Sequence, residues 1–208
     1  AGGRPRTVEV FHSAELVVNR IFYPLALLAV VAVAAVLVLG LYLHGFDLRN
    51  AADSSAQRLA TVHRLSGIAA GVIVLLVDSV VITYFVGTSR WCKEVSETYR
   101  LGTDYVARSA RLKRKTFPLA VVSMLTVVGI VALGGAADPA NDLHPEPLQN
   151  LFGADFSWAD AHLGAALAGT ALLTFGFFAM SLNIATNQGV IQDVMAQVKR
   201  IRTERGLD

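Results

Sequence analysis

An all-α integral membrane fold, a four-helix bundle, is predicted by three features of the sequence. There are four apolar runs long enough to cross a bilayer, the polar stretches between them are short, and the basic residues are distributed unevenly among those stretches. A bilayer core requires about 20 consecutive apolar residues at a rise of 1.5 Å per residue. Residues 21–43, 65–86, 117–136 and 163–184 meet that length. Hydrophobic residues make up 54% of the 208 and charged residues 16%, and the mean hydropathy is +0.51. Such a chain is too apolar for an ordinary soluble domain and too short for a large transporter, so residues 1–208 are expected to form one membrane domain.

Residues 1–20 lack a short apolar core followed by a small-residue cleavage site, so no removable signal peptide is expected. Within them Val8, Val10, Phe11, Ala14, Leu16, Val17 and Val18 form an irregular stripe suited to a helix at the membrane surface. The first span carries Pro24 close to its start, where the ring is tolerated. Residues 44–64 are a polar connection. The second span is apolar except for Ser66, Asp78, Ser79 and Thr83. Its Gly67 and Gly71 make a GxxxG pair, and at 100° per residue Asp78 lies within about 20° of both, on the face that admits a neighbouring helix. A charged side chain at that depth costs at least about 2.5 kcal/mol on insertion scales, so Asp78 is expected to be paired, neutral or functional.

Residues 87–116 mix Trp91, Val95, Tyr99, Tyr105, Val106 and Leu112 with many charges, which predicts two short amphipathic helices outside the bilayer. A break at Gly102 and an N-cap at Thr103–Asp104 would divide them. The third span has Pro118 near its start, residues 137–162 form a second polar connection, and the fourth span contains Gly164, Gly169 and Gly176. In residues 185–208, Val190, Ile191, Val194, Met195, Val198 and Ile201 recur at helical spacing, which predicts an amphipathic continuation.

Fifteen of the eighteen Lys and Arg residues fall in 1–20, 87–116 and 185–208, leaving Arg49, Arg58 and Arg64 in the two remaining connections. By the positive-inside rule these three segments and both termini are expected to be cytoplasmic, which fits a bacterial inner membrane, with 44–64 and 137–162 on the outer side. That outer side is acidic, carrying Asp47, Asp53, Asp138, Asp142, Glu146, Asp155 and Asp160. Each half of the chain reads as span, Ala-Ala-Asp, polar loop, histidine, span, and cytoplasmic segment. The order suggests two tandem helical hairpins, with His63 and His162 in equivalent places.

Four of the five histidines, His44, His63, His144 and His162, map to the outer side. His63 and His162 begin the second and fourth spans, where unsatisfied N–H groups and the helix dipole disfavour the imidazolium. Neutral imidazole is the form that binds metal. If the two spans pack through Gly67 and Gly71 against Gly164 or Gly169, both rings reach one space, as ligands to haem b or as half of a metal site that also draws on His44 and His144. The alternative is that histidines at a membrane boundary serve only as interfacial residues. The single cysteine, Cys92, excludes an internal disulfide and a CxxC motif, and with no histidine or acid placed to activate it reads as an inert thiol. Arg108, Arg111, Lys113, Arg114 and Lys115 ahead of the third span suit anionic lipid or a plain topological stop. No phosphate loop, hydrolase elbow or HExxH motif is present, and nucleic acid is not indicated.

The residues HRLSG at 63–67 resemble the HRxSG segment of succinate dehydrogenase membrane-anchor subunits. That resemblance implies that Arg64 and Ser66 lie near a quinone head and His63 near haem or quinone. Ala60 stands where that family has an upstream serine, and the family's pocket lies on the opposite side of the membrane from the one expected for this segment. As a whole the chain resembles bacterial four-span membrane proteins of unassigned function. The expectation is therefore an accessory or anchor subunit of a larger energy-converting membrane complex, not catalytic on its own, with other membrane subunits as partners and with a b-type haem and quinone as its sharper form. A non-redox metal-binding or scaffold protein built on the outer histidines, and a small proton-coupled carrier centred on Asp78, are the alternatives.

Overall fold

The computed structural model describes residues 6–44, 54–138, 140–141, 143–144, 146–153 and 156–207, apart from the side chains of 6–21, 54 and 148. Five helices account for almost all of them: α1 (Arg6–His44), α2 (Ser54–Tyr99), α3 (Asp104–Ala136), the short α4 (Glu146–Phe152) and α5 (Trp158–Glu204). Four are long and apolar enough to cross a membrane, over Phe22–His44, Ser55–Tyr99, Asp104–Ala136 and Trp158–Glu204. Among the described residues there is no strand. The chain is an all-α integral membrane protein. Asp47, Asp53, Asp142, Asp155 and Arg49 lie outside the described residues, as do the side chains of the stripe from Val8 to Val18 and of His12.

The helices run on where the sequence predicts separate pieces. A bilayer needs about 20 residues, and α2 and α5 have 46 and 47. The two short helices expected in 87–116 are the end of α2 and the beginning of α3. Gly87 alone costs a helix only about 1 kcal/mol, and the turns beyond it are supported by Arg90–Glu94 and Lys93–Glu97 pairs at i,i+4. What stops α2 is Arg100, which takes a left-handed φ of 53° and lets the Leu101 amide reach the Ser96 carbonyl at 2.9 Å. The break anticipated at Gly102 follows immediately. Pro24 and Pro118 both fall inside continuous helices. At the head of α5, Ser157 and Asp160 form a reciprocal cap. The Asp160 carboxylate accepts the Ser157 amide at 2.9 Å, and Ser157 Oγ accepts the Asp160 amide at 3.2 Å.

The chain divides into two compact units, one of residues 1–25, 78–121 and 177–208, the other of 26–77 and 122–176. In the first, Cys92, Val190 and Ile191 form a buried cluster against which Trp91, Tyr105, Leu112 and Met195 pack. Trp91 and Tyr105 therefore contribute to this core. Asn187 is fully buried here, and its amide donates to Tyr84 Oη at 3.2 Å and Thr88 Oγ1 at 3.1 Å. Asp78 is also fully buried, and engaged in a polar interaction. Thr170 and Thr174 donate to carbonyls of their own helix.

In the second unit, small residues let the helices approach. A Cβ on Gly71 would lie 3.5 Å from both Val127 and Val131 of α3, and one on Gly67 would lie 3.7 Å from Val36 of α1. Gly169 of α5 receives Ile130 and Thr126 of α3, which would lie 2.5 and 3.0 Å from an added Cβ. The glycines of the second span do not pack against those of the fourth. They accept branched side chains from α1 and α3, because a glycine notch is best filled by a protruding neighbour.

Candidate functional site

Within the unit of residues 26–77 and 122–176, two imidazoles face each other. The rings of His63 on α2 and His162 on α5 have centroids 6.1 Å apart and planes inclined at 77°. Each ring is seated on a glycine of a neighbouring helix. A Cβ on Gly40 of α1 would come within 2.9 Å of His63 Cε1, and one on Gly134 of α3 within 3.0 Å of His162 Cε1. His162 Nδ1 donates to the Ile130 carbonyl at 3.1 Å, one helical turn before Gly134. His63 interacts with the backbone of Val36, which likewise stands one turn before Gly40. The glycine seat thus occurs twice, once in each helical hairpin, whereas the Nδ1 hydrogen bond to a backbone carbonyl is made by His162.

This geometry determines the chemistry open to His162. A carbonyl can only accept, so Nδ1 carries the proton and, in the neutral ring, the Nε2 lone pair is available to a ligand. Fixing the tautomer through the second nitrogen is how metal-binding imidazoles are commonly oriented. In His63 the Nδ1 atom is buried and makes no hydrogen bond. Both rings are half-buried, neither sealed in the interior nor free in solvent.

The other residues singled out from sequence are placed as follows. Arg64 forms a salt bridge through Nη1 to Asp138 and donates through Nη2 to Thr61 Oγ1 at 3.4 Å. The Asp138 carboxyl is held below the usual carboxylate range, chiefly because it accepts the Ala140 amide, with Arg64 adding to the effect. Ser66 donates to the His63 carbonyl at 3.1 Å, so its hydroxyl is turned to its own helix. His44 lies 3.4 Å from Asp160, and His144 lies 3.7 Å from Glu146 at the exposed start of α4. His44, His63, His144 and His162 therefore divide into one facing pair and two imidazoles beside separate carboxylates. Among the described residues, no group of three or more His, Cys, Asp or Glu side chains is placed to hold a bare metal ion. Cys92 is fully buried, in keeping with an inert thiol.

Gly40 and Gly134, which seat the rings, went unnoticed in the sequence. A signal was present, since each stands near the end of an apolar run and each hairpin carries one. Comparison with protein-family models, curated proteins and solved structures finds no match to the chain.

Proposed function

We propose that the protein is an accessory subunit of an energy-converting membrane complex, in which His63 and His162 ligate a b-type haem that exchanges electrons with quinone. The observation that carries this reading is the facing imidazole pair. The two half-buried rings stand with centroids 6.1 Å apart, close enough that both would contribute an imidazole nitrogen to one bound group. The donor set favours haem over a bare ion. Haem would bring its own porphyrin nitrogens and ask of the protein only the two imidazoles of His63 and His162, whereas zinc or copper needs three or four side chains. Arg64, which follows His63 directly, is half-exposed and paired with Asp138, and keeps guanidinium N–H donors beyond that pair for a quinone carbonyl or a haem carboxylate. The charge asymmetry of the connections supports cytoplasmic termini, with the imidazole pair toward the outer face of a bacterial inner membrane.

The test is a dithionite-reduced minus air-oxidised absorption spectrum of the protein purified in mild detergent, with pyridine haemochrome and metal analysis on the same sample. The expected result is a b-type spectrum that is lost in His63→Ala and in His162→Ala while both variants remain folded. A colourless, metal-free protein, recovered under conditions that retain haem in a control cytochrome, overturns the reading and leaves a scaffold role.

A further inference from the structure

The approach to the third span carries cations that the rest of the chain leaves unused. Beyond Asp104, α3 contains no acidic residue. Arg108 is neutralised by Asp193 of α5, with Nη1 3.0 Å from Oδ2. The next exposed cations, Arg111, Arg114 and Lys115, take part in none of the ion pairs found among the described residues. On a helix advancing 100° per residue they fall on one side, within an arc of about 100°. The same arc, continued along α3, contains the exposed residues Pro118, Val122 and Leu125. Leu125 is 66% exposed and Val122 45%, as suits side chains that meet acyl chains in a helix apolar enough to span a bilayer. Lys113 lies on the other side of the helix and is only half-exposed.

We infer that Arg111, Arg114 and Lys115 form a seat for the headgroup of an anionic phospholipid whose acyl chains lie along Pro118, Val122 and Leu125. A phosphodiester headgroup carries a negative charge, and Lys and Arg beside the membrane surface attract it alike. A topological stop needs only positive charge somewhere in the segment. A lipid seat needs the charges on the face that continues into the membrane-facing stripe, and that coincidence distinguishes this cluster. The inference stands apart from any haem at the imidazole pair.

Native mass spectrometry of the full chain in mild detergent, titrated with phosphatidylglycerol or phosphatidylcholine, tests it. Phosphatidylglycerol should bind more tightly than phosphatidylcholine. In R111Q/R114Q/K115Q its affinity should fall by about fivefold per residue, roughly a hundredfold for three. The charge-conserving R111K/R114K/K115R should retain most of the binding, and R90Q/K93Q, which removes two exposed cations from another helix, should leave it unchanged. Binding by the triple glutamine variant within twofold of the parent overturns the proposal. Equal loss in R90Q/K93Q also overturns it, by showing a general charge effect, and so does loss in the charge-conserving variant, by showing a structural one. Inorganic phosphate at the same concentration should not displace the lipid, and displacement would reassign the seat to free phosphate.

Discussion

The imidazoles of His63 and His162 meet edge to face with their centroids 6.1 Å apart. Each is backed by a glycine on a different helix, Gly40 behind one and Gly134 behind the other. The rings are positioned as much by missing side chains as by any hydrogen bond. An alanine in either place would occupy the volume that the ring now fills.

That geometry makes adjacent glycines behave differently. Gly134→Ala places a Cβ 3.0 Å from His162 Cε1, whereas one at Gly135 meets nothing within 4 Å. Overpacking of this kind costs roughly 1–3 kcal/mol, while alanine at the open position should change stability by less than about 1 kcal/mol, in the stabilising direction. Thermal unfolding of the two variants in the same detergent should separate them, with Gly134→Ala melting lower than the parent. Equal melting temperatures would mean that the ring does not rest on Gly134.

Asn187 is the buried polar hub of the other unit, donating to Tyr84 Oη and Thr88 Oγ1. Thr88 Oγ1 in turn donates to the Tyr84 carbonyl at 2.8 Å. Asn187→Ala removes both donated bonds from a fully buried position and should cost about 1–3 kcal/mol, and Tyr84→Phe should cost about 1 kcal/mol. Because the two side chains share a bond, the double variant should lose less than the sum of the singles, by at least about 0.5 kcal/mol. Strict additivity in denaturation of the four proteins would remove Asn187 from this network.

Asp138 ties its connection to α2 through Arg64 and titrates accordingly. Its carboxyl is depressed, first by the Ala140 amide and then by Arg64. A group with a lowered folded pKa contributes stability that is present above the ordinary carboxylate value near 4 and is lost as pH falls through the folded value. The melting temperature of the parent should therefore exceed that of Asp138→Asn at neutral pH, and the gap should close as the sample is acidified below about pH 4. A gap that persists unchanged at pH 3 would show that the interaction does not depend on the ionised carboxyl.

Much of the fold was readable because the membrane makes it so. Span length and hydropathy are local properties, and a bilayer accepts few other solutions. The positions of His63 and His162 at the heads of two spans likewise pointed to one shared location. What could not be read depended on register between helices. Gly40 and Gly134 are ordinary members of apolar runs until α2 and α5 bring a ring over each. Gly67 and Gly71 looked like a helix–helix contact and serve instead as notches for Val36, Val127 and Val131. Asn187 sits in a polar tail and gives no hint of burial until α2 supplies Tyr84 and Thr88. The extensions of α2 and α3 are not legible in the sequence, because amphipathic character after a span resembles a new element, although no strong breaker separates residue 86 from residue 99.

The orientation inferred from charge can be tested with the chain's own cysteine economy. Cys92 is fully buried, so it should react slowly with a membrane-impermeant maleimide, and single added cysteines should report alone. Leu143, in the connection between α3 and α4, and Leu207, near the C-terminus, are 52% and 57% exposed, so neither substitution disturbs a core. With fifteen of the eighteen basic residues in segments 1–20, 87–116 and 185–208, those segments should face the cytoplasm. Leu143→Cys should then label in intact bacterial spheroplasts, and Leu207→Cys only after permeabilisation. The reverse pattern would invert the topology and place the imidazole pair toward the cytoplasm, the side on which the quinone pocket of succinate dehydrogenase anchors opens. Labelling of both residues in intact spheroplasts would be incompatible with four spans, since an odd number of crossings, three from the N-terminus and one from the C-terminus, separates each terminus from the α3–α4 connection.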